Sequence, residues 1–231
     1  MQGIIKMNTE PLFFDIETLP STDKQVIERI AANISPPGNI KKKESIDAWM
    51  EENYEQELKK EIHKTGLNAA YGSVACIAFA NSISDSPWCA TTKKMNEAQC
   101  IKYFYDVIGD HEIFSGHNIA GFDLKFLKQR SMILGIKPPN NILKAMNAKP
   151  WDDCIKDIML MWEPDKSKMT GLKLDLMCWW FGVKHDMPDM DGSMVADVWY
   201  ENPQKVIDYC IADVKAEREI YYKMMFETPV F

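Results

Sequence analysis

The segment Leu12-Phe13-Phe14-Asp15-Ile16-Glu17 constrains the fold more than any other stretch of the chain. It opens on a continuous apolar run, as strands covered on both faces do, and reads as a short central strand that Thr18-Leu19-Pro20 ends. Residues i and i+2 of a strand share a face, so Asp15 and Glu17 project together from an otherwise apolar element. Two carboxylates side by side near a core repel each other and resist desolvation. A divalent cation removes that cost, and hard cations prefer oxygen ligands. Taken alone, a D-x-E pair more often marks the solvated end of a strand, so the rest of the chain has to decide.

Further apolar runs follow at Gly72–Ala80, Trp88–Thr91 and Glu112–Gly116, and a short strand or helix lies around Asp157. Helical spacing covers about 23–33, a stretch capped by Asn96 that carries Ile101, Phe104, Tyr105 and Ile108, about Ala120–Leu134, the apolar Leu172–Phe181, and a last long helix opened by Pro203 and running to about Met225. Gly135–Pro150 reads as loop, as does the polar stretch Asp186–Gly192. Strands alternating with helices predict a layered α/β domain. Between the breaker Ser35-Pro36-Pro37-Gly38-Asn39 and about residue 66, the chain is strongly charged, with Ser45 as the expected N-cap of a helix to Lys64. That segment contributes little core and is expected to be an insertion, at about 34–66, in a single domain spanning 1–231.

At 231 residues, with 46% hydrophobic and 26% charged, the chain can bury a sizeable core without staples. The 27 basic and 34 acidic side chains give a formal charge of -7, which by itself argues against a plain electrostatic nucleic-acid binder. The cysteines, Cys76, Cys89, Cys100, Cys154, Cys178 and Cys210, form no C-x-x-C pair and mostly sit in apolar runs. They are expected to be reduced, buried thiols. His63, His111, His117 and His185 show no H-E-x-x-H spacing. Neither a signal-peptide h-region nor a membrane-length apolar stretch is present, so the expected location is the cytoplasm, with no membrane association.

Two more carboxylate motifs follow the first. In His117-Asn118-Ile119-Ala120-Gly121-Phe122-Asp123-Leu124, a turn leads from a strand into a helix whose first turn holds Asp123. A carboxylate there also satisfies a helix dipole. In Tyr209-Cys210-Ile211-Ala212-Asp213, the spacing of four puts phenol and carboxylate on one helix face. An ordinary amphipathic helix, with Tyr209 in the core and Asp213 in solvent, has the same pattern.

Taken in order, F-D-I-E-T, H-N-x-x-G-F-D and Y-C-x-x-D resemble the DEDD (DnaQ-like) superfamily of 3′–5′ exonucleases. The histidine branch of that superfamily carries its His five positions before the last Asp, where this chain has Asp208. The tyrosine branch carries Tyr four positions before it, where this chain has Tyr209. The chain therefore looks like a tyrosine-branch member. Pro36-Pro37-Gly38-Asn39-Ile40-Lys41, Gly121-Phe122-Asp123-Leu124-Lys125-Phe126-Leu127, Lys149-Pro150-Trp151 and Asp191-Gly192-Ser193 are similar to stand-alone phage and prophage exonucleases related to the proofreading domain of family-B DNA polymerases.

The resemblance implies a ribonuclease H-like α/β fold with a central mixed five-stranded sheet flanked by helices. It implies two Mg²⁺ or Mn²⁺ ions, with Asp15 touching both, Glu17 and Asp213 completing the first site, and Asp123 holding the second largely through water. Tyr209 would orient the attacking water. Thr18, Leu19 and Phe122 would contact the terminal nucleotides, with Leu19 and Phe122 wedging or stacking, and Asn118 would orient the active-site turn or contact the nucleotide. Asp157 would support the ligands from behind, and His117 would be a structural turn residue. The Trp179-Trp180 pair reads as core packing, and Lys41-Lys42-Lys43 as a solvated run that beside a nuclease cleft would track phosphates. The implied substrate is the 3′ end of DNA, preferably single-stranded, with nucleoside 5′-monophosphate as product.

Three other readings stay open at this stage. An exoribonuclease would use the same motifs, because they address metals and a phosphate rather than the sugar. A non-catalytic nucleic-acid-binding module would share the fold, and a carboxylate-lined Ca²⁺ or Mg²⁺ protein would share the acidic residues, although no EF-hand loop is present. No obligate protein partner is visible, and monomer is the default. Two divalent ions would neutralise Asp15, Glu17, Asp123 and Asp213, so the acidic balance does not oppose a polyanionic substrate. It predicts binding through metals and stacking at one 3′ end rather than through a broad basic surface.

Overall fold

The computed structural model describes residues 10–81, 86–149, 152–163 and 172–227. Pro150 and Trp151 lie outside them. Five strands, β1 (Leu12–Leu19), β2 (Ser73–Ala80), β3 (Trp88–Thr91), β4 (Phe114–Gly116) and β5 (Ile155–Asp157), form one sheet in the order β3-β2-β1-β4-β5. β1 pairs with β4, and β4 with β5, in parallel, while β3 runs antiparallel to β2. The sheet is therefore mixed, and β1 lies at its centre, where the apolar run Leu12-Phe13-Phe14 requires cover on both faces.

Contacts along the chain define two compact units, one of Met1–Glu17 with Val74–Phe231, the other Thr18–Ser73. The second contains α1 (Lys24–Ala31) and α2 (Lys43–Lys64) and encloses the charged insertion expected at 34–66. Asp23 caps α1 by accepting the amides of Gln25 at 2.8 Å and Val26 at 3.3 Å. α2 buries no residue, as its charge pattern predicts. It starts before the expected cap Ser45, which falls inside its first turn, and Lys42 at the cap position makes no side-chain bond. Lys41-Lys42-Lys43 is exposed.

In the first unit the side chains of β1 alternate between two helical layers. Phe14 packs on Phe104 of α3 (Glu97–Val107), with ring centroids 5.3 Å apart. Phe13, on the opposite face, meets Tyr221 of α9 (Pro203–Met224) edge-on at 5.3 Å. Phe13, Phe14, Phe79, Phe104 and Phe114 are fully buried and form the centre of the core. Asn96 caps α3 through a reciprocal bond with Gln99, as its position predicts. The remaining helices are α4 (Asp123–Ile133), α5 (Asn140–Met146), α6 (Ile158–Trp162), α7 (Leu174–Phe181) and α8 (Val195–Glu201).

Two further expectations fail. The stretch 135–150 is not all loop: α5 begins directly after Pro139 and buries Ile142, Ala145 and Met146. Proline is tolerated at a helix start, where no intrahelical N–H bond is lost, so Pro138-Pro139 introduces the helix instead of forbidding it. Trp179 and Trp180 are not core. They are 71% and 62% exposed, and α7 turns Met177 and Cys178 inward instead. All six cysteines are free, and all but Cys89 are buried. Among the described residues no helix is long and apolar enough to cross a membrane.

Candidate functional site

The parity of β1 decides where its carboxylates go. Asp15 and Glu17 share the face of Phe13, which is the face that α9 covers. α9 presents Tyr209, Asp213 and Glu217 one turn apart along a single stripe. Carboxylate oxygens of Asp15, Glu17 and Asp213 come within 4.8 Å of one another. The cluster lies at the carboxyl end of β1, beside the carboxyl end of its parallel neighbour β4, with β5 parallel beyond it, the edge where open α/β sheets place ligands.

Asp123, the first residue of α4, is 2% exposed, and its Oδ1 accepts the amide of Ile16, between the two β1 carboxylates, at 3.0 Å. It adjoins the three clustered residues without belonging to their 4.8 Å group. α4 is fixed against α3 by the Arg130–Glu97 ion pair at 2.6 Å and by the buried Tyr105–Ser131 hydroxyl pair at 2.7 Å.

The turn between β4 and α4 is built around Asp157. Its Oδ1 accepts the amide of Asn118 at 3.0 Å and its Oδ2 that of Ala120 at 3.1 Å, while Oδ1 also caps α6 through Met159 at 3.1 Å. Asn118 holds φ at +58°, in the left-handed region, and its carbonyl accepts the amides of Gly121 and Phe122. A Cβ on Gly121 would overlap the Asn118 side chain, and one on Gly116 would meet the Phe14 carbonyl at 2.7 Å. Both glycines are therefore required by close approach. Asn118 and Asp157 thus shape the backbone that delivers Asp123. The ring of Phe122 packs on Phe126, with centroids 5.5 Å apart, and Phe122 does not line the cleft described below. Thr18 and Leu19 fall in the Thr18–Ser73 unit, where Leu19 is buried.

Sequence reasoning missed two groups at the site. Glu217 is 1% exposed; its Oε1 accepts the His117 amide at 2.9 Å, and its Oε2 has no hydrogen-bond partner among the described residues. The signal was available, since Glu217 continues the four-residue spacing of Tyr209 and Asp213. His185 comes from the loop after α7, and its Nε2 lies 2.6 Å from Asp213 Oδ1; no local pattern marks it. His117 bonds through Nε2 to the Leu172 carbonyl at 2.7 Å, a contact that fixes the turn.

These carboxylates are electrostatically costly. Burial holds the carboxyl of Asp15 well above its ordinary pKa, and the Cys210 thiol, Glu17, Asp123 and Glu217 add to the shift. Burial does the same for Glu17, reinforced by Asp213 and Asp123, and for Glu217, reinforced by Asp213. Asp123 is pushed up to about 7, chiefly by burial, against the lowering effect of backbone amides. Burial also raises Asp213, although His185 and Tyr209 pull it down. The Tyr209 phenol stands far above its ordinary value, first from burial, then from the charges of Asp213, Glu17 and Asp15.

A set of buried carboxylates with so few cationic partners fits hard divalent cations, which take oxygen ligands and compensate the repulsion. The orphaned Oε2 of Glu217 points the same way. A cleft of about 900 Å³ opens onto the cluster; Asp15, Tyr209 and Asp213 line it together with Lys173, Trp179 and His185.

Comparison with known proteins adds the following. A family profile described as a predicted 3′–5′ exonuclease related to the exonuclease domain of PolB matches residues 69–228, a range that holds Asp123, Asp157, Tyr209 and Asp213. The fold is similar to that of the family B DNA polymerase from the hyperthermophilic archaeon Pyrobaculum calidifontis, with a TM-score of 0.59 and 16% sequence identity. The likeness covers 94% of this chain and 24% of the polymerase, so the chain spans about a quarter of that protein's length. No curated protein matches the sequence.

Proposed function

Because the chain belongs to the family of predicted 3′–5′ exonucleases related to the exonuclease domain of PolB, we propose that it hydrolyses phosphodiester bonds one nucleotide at a time from the 3′ end of DNA, single-stranded by preference, with two Mg²⁺ or Mn²⁺ ions. The products are nucleoside 5′-monophosphates. The observation that carries this reading is the meeting of Asp15, Glu17 and Asp213 within 4.8 Å at the carboxyl end of the central strand.

Asp15, Glu17 and Asp213 would hold one ion, and Asp15 with Asp123 the other. Bound there, the ions would supply Lewis-acid stabilisation of the scissile phosphate and lower the pKa of the attacking water. The protein's own groups do the rest. Asp123 and the Ile16 amide lock the spacing between strand and helix. His185 fixes the rotamer of Asp213. A free phenol titrates at about pH 10 and burial raises that of Tyr209 further, so its hydroxyl would orient the water by hydrogen bonding and would not act as a strong base.

The direct test offers 3′- and 5′-labelled single-stranded DNA and RNA to the protein with Mg²⁺ or Mn²⁺. Mononucleotides are expected from the 3′ end of DNA, and EDTA is expected to stop their release. Release from RNA alone would reassign the substrate, and cleavage from the 5′ end or internally would refute the reading. Tyr209→Phe is expected to slow release on the order of 10²-fold, the usual cost of one positioned hydrogen-bonding group, with Mn²⁺ affinity by titration calorimetry unchanged. A loss of Mn²⁺ binding in that variant would show that the phenol supports the metal ligands and does not orient the water.

A further inference from the structure

The composition of α7, Leu-Asp-Leu-Met-Cys-Trp-Trp-Phe, is that of a buried helix, yet only Met177 and Cys178 are buried, while Trp179 is among the most exposed large apolar side chains of the described residues. Exposing so large an aromatic surface is unfavourable unless something covers it. Trp179 is not on an unrelated face: it lines the same cleft as Asp15, Tyr209 and Asp213, whereas its neighbour Trp180 does not. The two indoles stand nearly perpendicular, at 71°, with centroids 4.8 Å apart, so Trp180 braces the Trp179 ring from one side.

The charge of the cleft decides what kind of contact a strand must make there. Besides the catalytic carboxylates and Glu217, its lining includes Asp175, Asp189 and Asp191, against Lys173 and two histidines. Away from the ions, such a cleft offers a polyanion few of the phosphate contacts that give most nucleic-acid binders their affinity, Lys173 being the one lysine in its lining. Much of the grip must therefore come from groups that attract bases, and base–aromatic stacking is sequence-tolerant and contributes about 1–3 kcal/mol per base. The other large aromatic ring in the lining, Tyr209, lies tilted against His185, with centroids 5.9 Å apart, and its hydroxyl stands among the carboxylates.

We propose that Trp179 is the stacking platform for a base of the single strand whose 3′ end enters the carboxylate cluster, with Lys173 at the opening of the same helix contacting an adjacent phosphate. The proposal rests on the exonuclease reading and deepens it: it assigns the contact that holds the strand, separately from the carboxylates that cleave it.

The test uses single-stranded DNA oligonucleotides with one abasic residue stepped through the last few positions at the 3′ end. The wild-type protein is expected to lose roughly 5- to 150-fold in kcat/KM at one of those positions, the equivalent of one stack. Trp179→Ala is expected to show that loss on intact DNA, as a raised KM with kcat held, and to be indifferent to the abasic residue at that position. Trp179→Phe should restore most of the affinity, and Trp180→Ala, which removes the brace and leaves the platform, should cost less than Trp179→Ala. If Trp179→Ala stays as sensitive to every abasic position as wild type, or keeps its KM, the platform is refuted. A second measurement separates this inference from the reaction itself. Fluorescence anisotropy of a 5′-labelled oligonucleotide with Ca²⁺ reports binding alone, and weaker binding by Trp179→Ala is expected there too. A wild-type protein that binds through Trp179 but releases no mononucleotide would overturn the exonuclease reading and leave the platform standing.

Discussion

Replacing Asp15 with asparagine is expected to lower mononucleotide release on the order of 10³-fold or more, and at the same time to raise the melting temperature of the metal-free protein. The two effects share one cause. Asp15 lies in the one group of three carboxylates that come together among the described residues, so its charge is what would hold the ions, and each lost metal contact removes several kcal/mol of transition-state stabilisation. The same charge is unfavourable when no ion is present. Burial raises the pKa of Asp15 well above the carboxylate range, and Cys210, Glu17, Asp123 and Glu217 oppose its ionisation further. Asparagine keeps the shape and retains an oxygen to accept the Cys210 thiol, 3.3 Å from Asp15 Oδ2, but carries no charge. Rates from a 3′-labelled strand and melting curves in EDTA check the pair of effects. Undiminished release would remove Asp15 from the site. A lower melting temperature would mean that its carboxylate stabilises the metal-free fold and does not strain it.

That coupling of strain to site also explains which parts were legible in the sequence. Asp15 and Glu17 could be read because a period of two placed both on one face of an apolar strand, and Tyr209 and Asp213 because a spacing of four placed both on one face of a helix. Each is a local rule, and the fold brings the two faces together. Glu217 obeys the same local rule one turn further on but belongs to none of the three carboxylate motifs, and only its burial and its bond to the His117 amide distinguish it from a surface glutamate. His185 is invisible in principle: a loop delivers it to Asp213 from 28 residues away, and loops carry no periodicity. The exposure of Trp179-Trp180 is hidden in the sequence for a different reason. Apolar composition predicts burial only when nothing else requires an exposed aromatic, and α7 borders the cleft. The α5 helix was hidden because Pro138-Pro139 and Asn140-Asn141 are turn formers by composition, while Ile142, Ala145 and Met146 gain enough burial to override them.

Without metal, the protein is expected to be more stable at about pH 6 than at about pH 8, the reverse of what salt-bridged carboxylates produce. An unfolded carboxylate titrates near pH 4. Burial raises Asp15, Glu17 and Glu217 well above that value, raises Asp213, and carries Asp123 to about 7. Between the unfolded and folded values the native state binds more protons than the unfolded chain, so stability falls as pH rises through that window. His185 acts in the same direction. Its pKa is raised, chiefly by the hydrogen bond to Asp213, and a raised histidine stabilises at low pH and loses that contribution as pH climbs through its folded value. Divalent cations should reverse the trend. Ligand carboxylates must be deprotonated to bind, so Mg²⁺ or Mn²⁺ should raise the melting temperature most at the alkaline end, where the metal-free protein is weakest. Melting curves in EDTA and in excess Mg²⁺ across this range test both halves. A metal-free protein whose stability climbs with pH would show that these carboxylates are compensated within the fold, and the case for a cation among them would fail. A metal shift that is the same at every pH would place the cation elsewhere. The expected result ties catalysis to marginal local stability: the charges that make β1 and α9 unfavourable neighbours are those that would bind the ions.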